Sequence, residues 1–111
     1  MYFSDNGRDW LGDDSPSCEL NVVNEEGSFY GYPYKHSKDV IDPEFGHLIP
    51  TIDKKFVDPI AELGPHVAPL GIAFYDGNVF PDKYKNSVFS YFPETKSKDN
   101  VPGFEKENSI L

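Results

Sequence analysis

The chain has 111 residues and a net charge of −9. This balance argues against nucleic-acid backbones and anionic membrane surfaces as partners, because both attract clustered lysine and arginine. No apolar run approaches the roughly 20 residues that span a bilayer, and the N-terminus lacks the basic and apolar regions of a signal peptide. The single cysteine, Cys18, excludes an internal disulfide, and we expect it to be a small buried or half-buried residue.

The first third of the chain predicts three strands joined by turns. Residues 2–5 and 20–24 read as strands on either side of a long polar loop, and the aromatic segment 28–34 reads as the third. Glycine and proline together supply 19 residues, 9 plus 10, and aromatic residues make up 15% of the chain. Such a composition favours short strands and long loops over helices.

The rest of the chain predicts an irregular segment and then two more strands. Residues 35–64 contain three prolines and no period, so we expect an excursion loop in which residues 49–52 and 56–57 are candidate short strands. Residues 66–75 and 87–92 read as strands, separated by a turn at 76–78 and one helical turn at 81–85. We expect the polar residues 93–111 to be a disordered or loosely packed tail.

The loop between the first two strands is unusually acidic. It carries Asp5, Asp9, Asp13, Asp14 and Glu19. Carboxylates and turn carbonyls are the oxygen ligands that Ca²⁺ prefers, although the spacing is not that of an EF-hand. A solvated acidic loop without a ligand explains the same composition. The histidines are too scattered for a zinc site, and we expect His36 and His47 to lie on the surface.

Several ordered motifs resemble the glucose/sorbosone dehydrogenase family. That family comprises soluble aldose and sorbosone dehydrogenases that use pyrroloquinoline quinone (PQQ) and Ca²⁺ on a six-bladed β-propeller. The matching blocks are residues 5–14 (DNGRDWLGDD), 19–21 (ELN), 30–34 (YGYPY), 42–46 (DPEFG), 63–71 (LGPHVAPLG) and 74–77 (FYDG). The resemblance covers residues 2–91 and fades after Phe92.

The resemblance implies an all-β fold, a fragment of a six-bladed propeller with about one and a half blades in an antiparallel meander. The partial propeller domain would cover residues 1–92, with the excursion loop at 35–64. The Ca²⁺ that holds PQQ would bind the backbone carbonyls of Gly7 and Arg8. Asn6 and His66 would line the cofactor site. The catalytic base of that family matches no position here, so we assign no catalytic residue.

The function implied is that of a PQQ- and calcium-dependent sugar dehydrogenase, contributing the calcium and cofactor loop but inactive as this fragment alone. Its partners would be an aldose sugar and an electron acceptor such as cytochrome c or a quinone, in the periplasm or outside the cell. The alternative is a non-catalytic, propeller-derived module that binds calcium or another protein. A third alternative is a truncated, poorly folding chain. In each case exposed strand edges predict self-association.

Overall fold

The computed structural model describes residues 1–91 and 109–110, and strands dominate them. In chain order the strands are β1 (Tyr2–Asp5), β2 (Ser17–Val22), β3 (Lys35–His36), β4 (Val40–Ile41), β5 (Ala61–Pro65), β6 (Gly71–Tyr75), β7 (Ser87–Tyr91) and β8 (Ser109–Ile110). Short 3₁₀ helices span Gly46–Thr51 and Asp82–Tyr84. The predicted all-β class is confirmed.

The first sheet places β2 between β1 and β5, and both pairings are antiparallel. Phe3 lies opposite Asn21, and Leu20 lies opposite both Ser4 and Ala61. Because β2 is the central strand, its residues 18–21 are all buried. The β2–β5 register shifts between Cys18 and Glu19, which is the irregularity expected of a β-bulge.

The second and third sheets are smaller, and both are antiparallel. Strands β3 and β4 form a two-stranded hairpin. Strand β7 lies between β6 and β8, with Phe74 opposite Val88. The Ser4 hydroxyl donates to the Pro69 carbonyl at 3.4 Å, so β1 lies beside the start of β6. The described residues contain no closed propeller, and their largest sheets have three strands where a propeller blade has four.

The predicted strand at residues 28–34 is wrong. Only Phe29 pairs with another segment, in an isolated parallel bridge to Phe56. The chain turns at Gly31, whose carbonyl accepts the amides of Tyr34 and Lys35 at 2.8 and 3.0 Å. Gly31 has φ +106°, a conformation that suits glycine and ends an extended run. The third strand of the first sheet is therefore β5, which comes some 30 residues later.

Two further predicted strands change in the structure. Residues 49–52 belong largely to the 3₁₀ helix Gly46–Thr51, where the Thr51 hydroxyl donates to the Leu48 carbonyl at 2.6 Å. The strand predicted at 66–75 begins only at Gly71, because His66 and Ala68 have positive φ values of 55° and 47°. The predictions at residues 2–5, 81–85 and 87–92 coincide closely with β1, the second 3₁₀ helix and β7.

The interior of the described part is largely polar. The buried hydrophobic residues there are Cys18, Leu20 and Val88. A larger set of polar residues is equally shielded from solvent, namely Glu19, Asn21, His36, Ser37, Asp42 and Ser87. Buried polar groups are costly unless they are hydrogen-bonded, so their partners identify what holds this part of the chain together. The tail predicted at 93–111 lies outside the described residues apart from β8.

Candidate functional site

The first residues of the acidic loop between β1 and β2 pack against the start of β2. The Gly7 amide donates to the Cys18 sulfur at 3.4 Å. A side-chain carbon added at Gly7 would lie 3.0 Å from the Pro16 carbonyl and ring, so the absence of a side chain permits this approach. Cys18 is buried, as its sequence context predicts. The loop therefore leaves β1 in contact with the first residues of β2.

Arg8 connects this loop to the segment after β4. One guanidinium nitrogen donates to Oδ2 of Asp42, and the other donates to Oε2 of Glu44 at 3.0 Å. The two carboxylates raise the pKa of Arg8 above its ordinary value. Phe45 lies beneath the same guanidinium, with 6.0 Å between the guanidinium carbon and the ring centroid. Arg8 is thus engaged by two carboxylates that lie 34 and 36 residues away in the chain.

Asp42 is the centre of the network and accepts hydrogen bonds on both carboxylate oxygens. Oδ1 accepts the amides of Glu44 and Phe45, each at 2.8 Å. Oδ2 accepts Arg8 and lies 2.7 Å from Nε2 of His36. Burial by itself would raise the pKa of Asp42, but the bonds from these four partners together hold it well below its ordinary value. Asp42 is therefore an ionised, fully engaged carboxylate.

A second buried carboxylate, Glu19, joins the network from the centre of the first sheet. Its Oε1 accepts the backbone amide of Ser37. Its Oε2 accepts the side-chain amide of Asn21 at 3.0 Å. The Ser37 hydroxyl donates to the Ser17 carbonyl at 3.1 Å. These contacts fasten the β3–β4 hairpin onto β2, and Ser37 sits at φ +52° in the turn that makes them.

Asp5 borders the same polar interior. Burial raises the pKa of Asp5, against the attraction of His36 and the backbone hydrogen bond from Asn6, which both lower it. The Asn21 side-chain oxygen, also buried, has no hydrogen-bond partner within the described part of the chain. Most other polar groups of this network are paired with one another. The arrangement ties the loop, β2 and the hairpin together, and its charged groups are occupied by internal contacts.

The predicted site residues lie on or against the acidic loop. Gly7 and Arg8, the predicted calcium ligands, lie on the acidic loop, and Arg8 turns its side chain toward Asp42. His66, a predicted cofactor residue, reaches the far end of the same loop, with its Nε2 2.7 Å from the Gly12 carbonyl. Its Nδ1 lies 3.8 Å from a carboxylate oxygen of Asp9.

Asn6, the other predicted cofactor residue, is exposed at the start of the loop. No hydrogen bond joins Asn6 to the His66 side chain among the described contacts. The acidic residues of the loop do not converge either. Across residues 1–91 no group of three or more His, Cys, Asp or Glu side chains is arranged to hold a metal ion. Calcium binding through the Gly7 and Arg8 carbonyls stays a prediction, because it depends on backbone oxygens rather than on such a cluster.

Sequence reasoning missed the polar network itself. His36 was expected on the surface, but its side chain is only 5% exposed and is held by Asp42. The signal available in the sequence was the pair of polar residues on β2, Glu19 and Asn21. They share one face of the strand, and both are buried in the structure. A carboxylate on a central strand predicts a buried partner. Nothing in the local pattern identifies that partner as the turn at Ser37.

Comparison with curated proteins finds one match. A protein of Borreliella burgdorferi whose printed name is "Uncharacterized protein" is 47% identical to this chain over 89 residues. The aligned region covers 80% of this chain and 23% of the relative. This chain therefore spans about a quarter of the length of the curated relative that it matches. No known family model matches the chain, and no solved structure matches it.

These comparisons correct the predicted family. The assignment to the glucose/sorbosone dehydrogenases is wrong, because no family model matches and the curated relative carries no dehydrogenase name. The roles of Asn6 and His66 in binding PQQ depended on that assignment alone, so we do not propose them for this chain. The same holds for the sugar substrate, the electron acceptor and the periplasmic or extracellular location. Within the described residues, no helix has the length and apolar character to cross a membrane.

Proposed function

We propose that this chain is a non-catalytic interaction module that packs its β6–β7 sheet against further β-structured polypeptide. The observation that carries the proposal is the exposure of large apolar side chains on and beside these two strands. The exposed fraction is 66% for Leu70, 51% for Phe74, 52% for Phe80 and 65% for Tyr91. Exposed apolar surface of this kind marks contact sites in folded proteins.

The exposed residues belong to both faces of the sheet. Successive side chains of a strand point to opposite faces, so Phe74 lies with Ile72 and Val88 on one face. Tyr91 lies with Tyr75 and Phe89 on the other. Phe80 stacks on Tyr75 on that second face, with 4.9 Å between the ring centroids. A sheet that is apolar on both faces is typical of one covered by protein on two sides.

The described part buries little apolar surface of its own. Its buried hydrophobic residues are Cys18, Leu20 and Val88. Ordering the backbone costs about 1–2 kcal/mol per residue, and three such residues contribute only a few kcal/mol each at most. Burial of Phe74, Phe80 and Tyr91 against a partner would add the apolar contact that the chain lacks alone. The need for that contact favours an interaction module over a free-standing enzyme.

The length of the curated relative supports the same proposal. The shared region is 23% of that protein, so most of its polypeptide lies outside the region that matches this chain. Such additional polypeptide is a natural source of the covering sheets. We therefore expect the partner surface to be apolar and β-structured rather than basic or nucleic acid-like.

Fragment complementation tests the proposal. The part of the Borreliella burgdorferi relative outside the shared region is produced as a separate polypeptide and titrated into this chain by calorimetry. We expect a one-to-one complex with a negative heat-capacity change, which is the mark of apolar burial. Binding of a hydrophobic dye to this chain should fall as the complex forms.

A matched pair of variants distinguishes binding through the sheet surface from nonspecific hydrophobic binding. Phe74→Ser with Tyr91→Ser removes one exposed apolar residue from each face and should weaken the complex at least about tenfold. The control, Tyr32→Ser, removes an exposed ring outside this sheet, 67% exposed, and should leave the affinity unchanged. Absence of a complex with the wild-type chain, or equal weakening by both variants, would overturn the proposal.

A further inference from the structure

A cavity of about 570 Å³ lies between two segments outside the β6–β7 sheet. One segment is the turn that follows β2, residues 24–30, and the other is residues 54–58. Ligand pockets for small molecules fall between about 300 and 1,000 Å³. The cavity is thus large enough for a small organic ligand, and it contains none of the residues of the polar network described above.

Backbone and aromatic contacts fix the two segments relative to each other. The Val57 amide donates to the Phe29 carbonyl at 2.8 Å, and Phe29 and Phe56 form a parallel bridge. The rings of Phe29 and Phe56 lie 5.0 Å apart between centroids. On the other side the Tyr30 hydroxyl donates to the Val22 carbonyl at 2.8 Å. The apolar lining made by Val22, Tyr30, Phe56 and Val57 is therefore held in place by the fold.

Four charged side chains of the lining are exposed to solvent. Glu25 and Glu26 come from the first segment, and Lys54 and Lys55 come from the second. Within the described residues none of these four side chains takes part in an ion pair, even though carboxylates and ammonium groups line one cavity. Asp58, the remaining charged residue of the lining, is already paired with Lys35 at 2.8 Å. Both signs of charge are thus left open to a ligand.

We propose that this cavity binds a small zwitterion with an apolar side chain, of the class of free apolar amino acids and their dipeptides. The ligand ammonium group faces Glu25 and Glu26, its carboxylate faces Lys54 and Lys55, and its side chain rests on Tyr30 and Phe56. Each charge-assisted hydrogen bond is stronger than a neutral one, and the apolar lining supplies the burial. The proposal is independent of the interaction surface on β6–β7.

The experiment follows backbone amide NMR shifts of the full chain during titration with leucyl-leucine. We expect saturable shifts confined to residues 22–30 and 54–58. N-acetyl-leucyl-leucine lacks the ammonium group and leucyl-leucinamide lacks the carboxylate, so each should bind at least about tenfold more weakly. Free leucine, which has both charges and less apolar surface, should bind in the same place but more weakly than the dipeptide.

Charge-neutralising variants test the named residues. Glu25→Gln with Glu26→Gln should weaken leucyl-leucine about as much as acetylation does, and should no longer distinguish the acetylated from the free dipeptide. Lys54→Gln with Lys55→Gln should behave in the same way toward the amide. The controls are Asp53→Asn and Lys83→Gln. They remove one negative and one positive charge at residues outside the lining and should leave binding unchanged.

Three results would overturn the proposal. The first is the absence of shifts at residues 22–30 and 54–58 up to about 10 mM dipeptide. The second is equal binding of the free, acetylated and amidated dipeptides. The third is unchanged affinity in both double variants.

Discussion

Oδ2 of Asp42 lies 2.7 Å from Nε2 of His36, and both side chains are shielded from solvent, Asp42 at 2% and His36 at 5% exposed. The pair joins the end of the β3–β4 hairpin to its own first strand. Because Arg8 donates to the same oxygen, one carboxylate atom fixes three segments. The hairpin has only two residues in each strand, so these side-chain contacts, rather than its backbone ladder, hold it in position.

Replacement of Asp42 should therefore destabilise the chain strongly. In Asp42→Asn the ionised acceptor of Arg8 and His36 is lost, and removal of one member of a buried ionic network leaves the others uncompensated. We expect the midpoint of thermal unfolding to fall by on the order of 10 °C. Asp53 is exposed and forms no ion pair with any described residue, so Asp53→Asn should change the midpoint by no more than about 2 °C. Equal midpoints for the two variants would contradict the central role of Asp42.

Acid should weaken the same network. The pKa of Asp42 is lower in the folded chain than its unfolded value near 3.9, so the folded state is favoured by ionisation. The stabilisation is complete above about pH 5, begins to be lost near the unfolded value and declines further as the pH falls toward the folded pKa. The difference in unfolding free energy between the wild type and Asp42→Asn should therefore shrink from pH 6 to pH 3. Denaturant titrations at the two pH values measure it, and a constant difference would contradict the assignment.

Gly31 should tolerate no side chain. A carbon added there would lie 2.6 Å from the Lys35 carbonyl oxygen, and the residue has φ +106°. Gly31→Ala should cost about 1–3 kcal/mol through strain at this turn. Gly71→Ala is the matched control, because nothing lies within 4 Å of an added carbon and its φ is ordinary. Chemical denaturation of both variants gives the comparison, and a neutral Gly31→Ala would refute the turn geometry.

Leu20 should contribute most to the small apolar core. It lies on the central strand of the first sheet with 0% of its surface exposed. Leu20→Ala removes a fully buried side chain and should cost about 2–5 kcal/mol. Val79→Ala shortens a side chain that is 90% exposed and should cost less than about 0.5 kcal/mol. If the two substitutions cost the same, the first sheet is not the core of the described part.

Calcium provides a test of the acidic loop. The predicted ligands are the carbonyls of Gly7 and Arg8, in a loop where Arg8 is already neutralised by Asp42 and Glu44. Millimolar Ca²⁺ should shift the amide resonances of residues 5–14, whereas Mg²⁺, which demands a stricter octahedral geometry, should shift them less. Unchanged resonances with both ions would show that the loop is a solvated acidic segment.

The fold was predictable where a residue's own neighbours decide its conformation. Strand β7 follows from the run of apolar and hydroxyl residues after Asn86, and the 3₁₀ helix at Asp82–Tyr84 follows from the proline before it. The pairing of β2 with β5 was not predictable in this way, because a strand pattern does not identify a partner about 40 residues away. The mistaken strand at 28–34 has the opposite cause. Its aromatic residues favour a strand, but the backbone turn at Gly31 overrides that preference.

The same distinction between local sequence and tertiary packing applies to the candidate site. The sequence indicated the acidic loop. His66 was assigned to a cofactor site only through the family resemblance that the comparisons overturn, and its contact with the Gly12 carbonyl at 2.7 Å was not predicted. The buried network of Glu19, His36 and Asp42 depends on tertiary packing. Its contacts join Glu19 to Ser37, 18 residues later, and Arg8 to Asp42, 34 residues later. Charged residues are usually exposed, so their burial can be recognised only once the partners are known to meet.

The order of residues in the polar network has a consequence for synthesis on the ribosome. Arg8 is made 34 residues before Asp42, an interval of roughly 2–7 s at the usual elongation rates of about 5–20 residues per second. The Glu19 carboxylate likewise gains the Ser37 amide only after the β3–β4 hairpin has been made. Until then the β1–β2 hairpin lacks these contacts, and a two-stranded hairpin by itself is marginally stable in water. The polar network can therefore form only after Asp42 has emerged. Before that point we expect the segment from β1 to β3 to be accessible to proteases and nascent-chain chaperones.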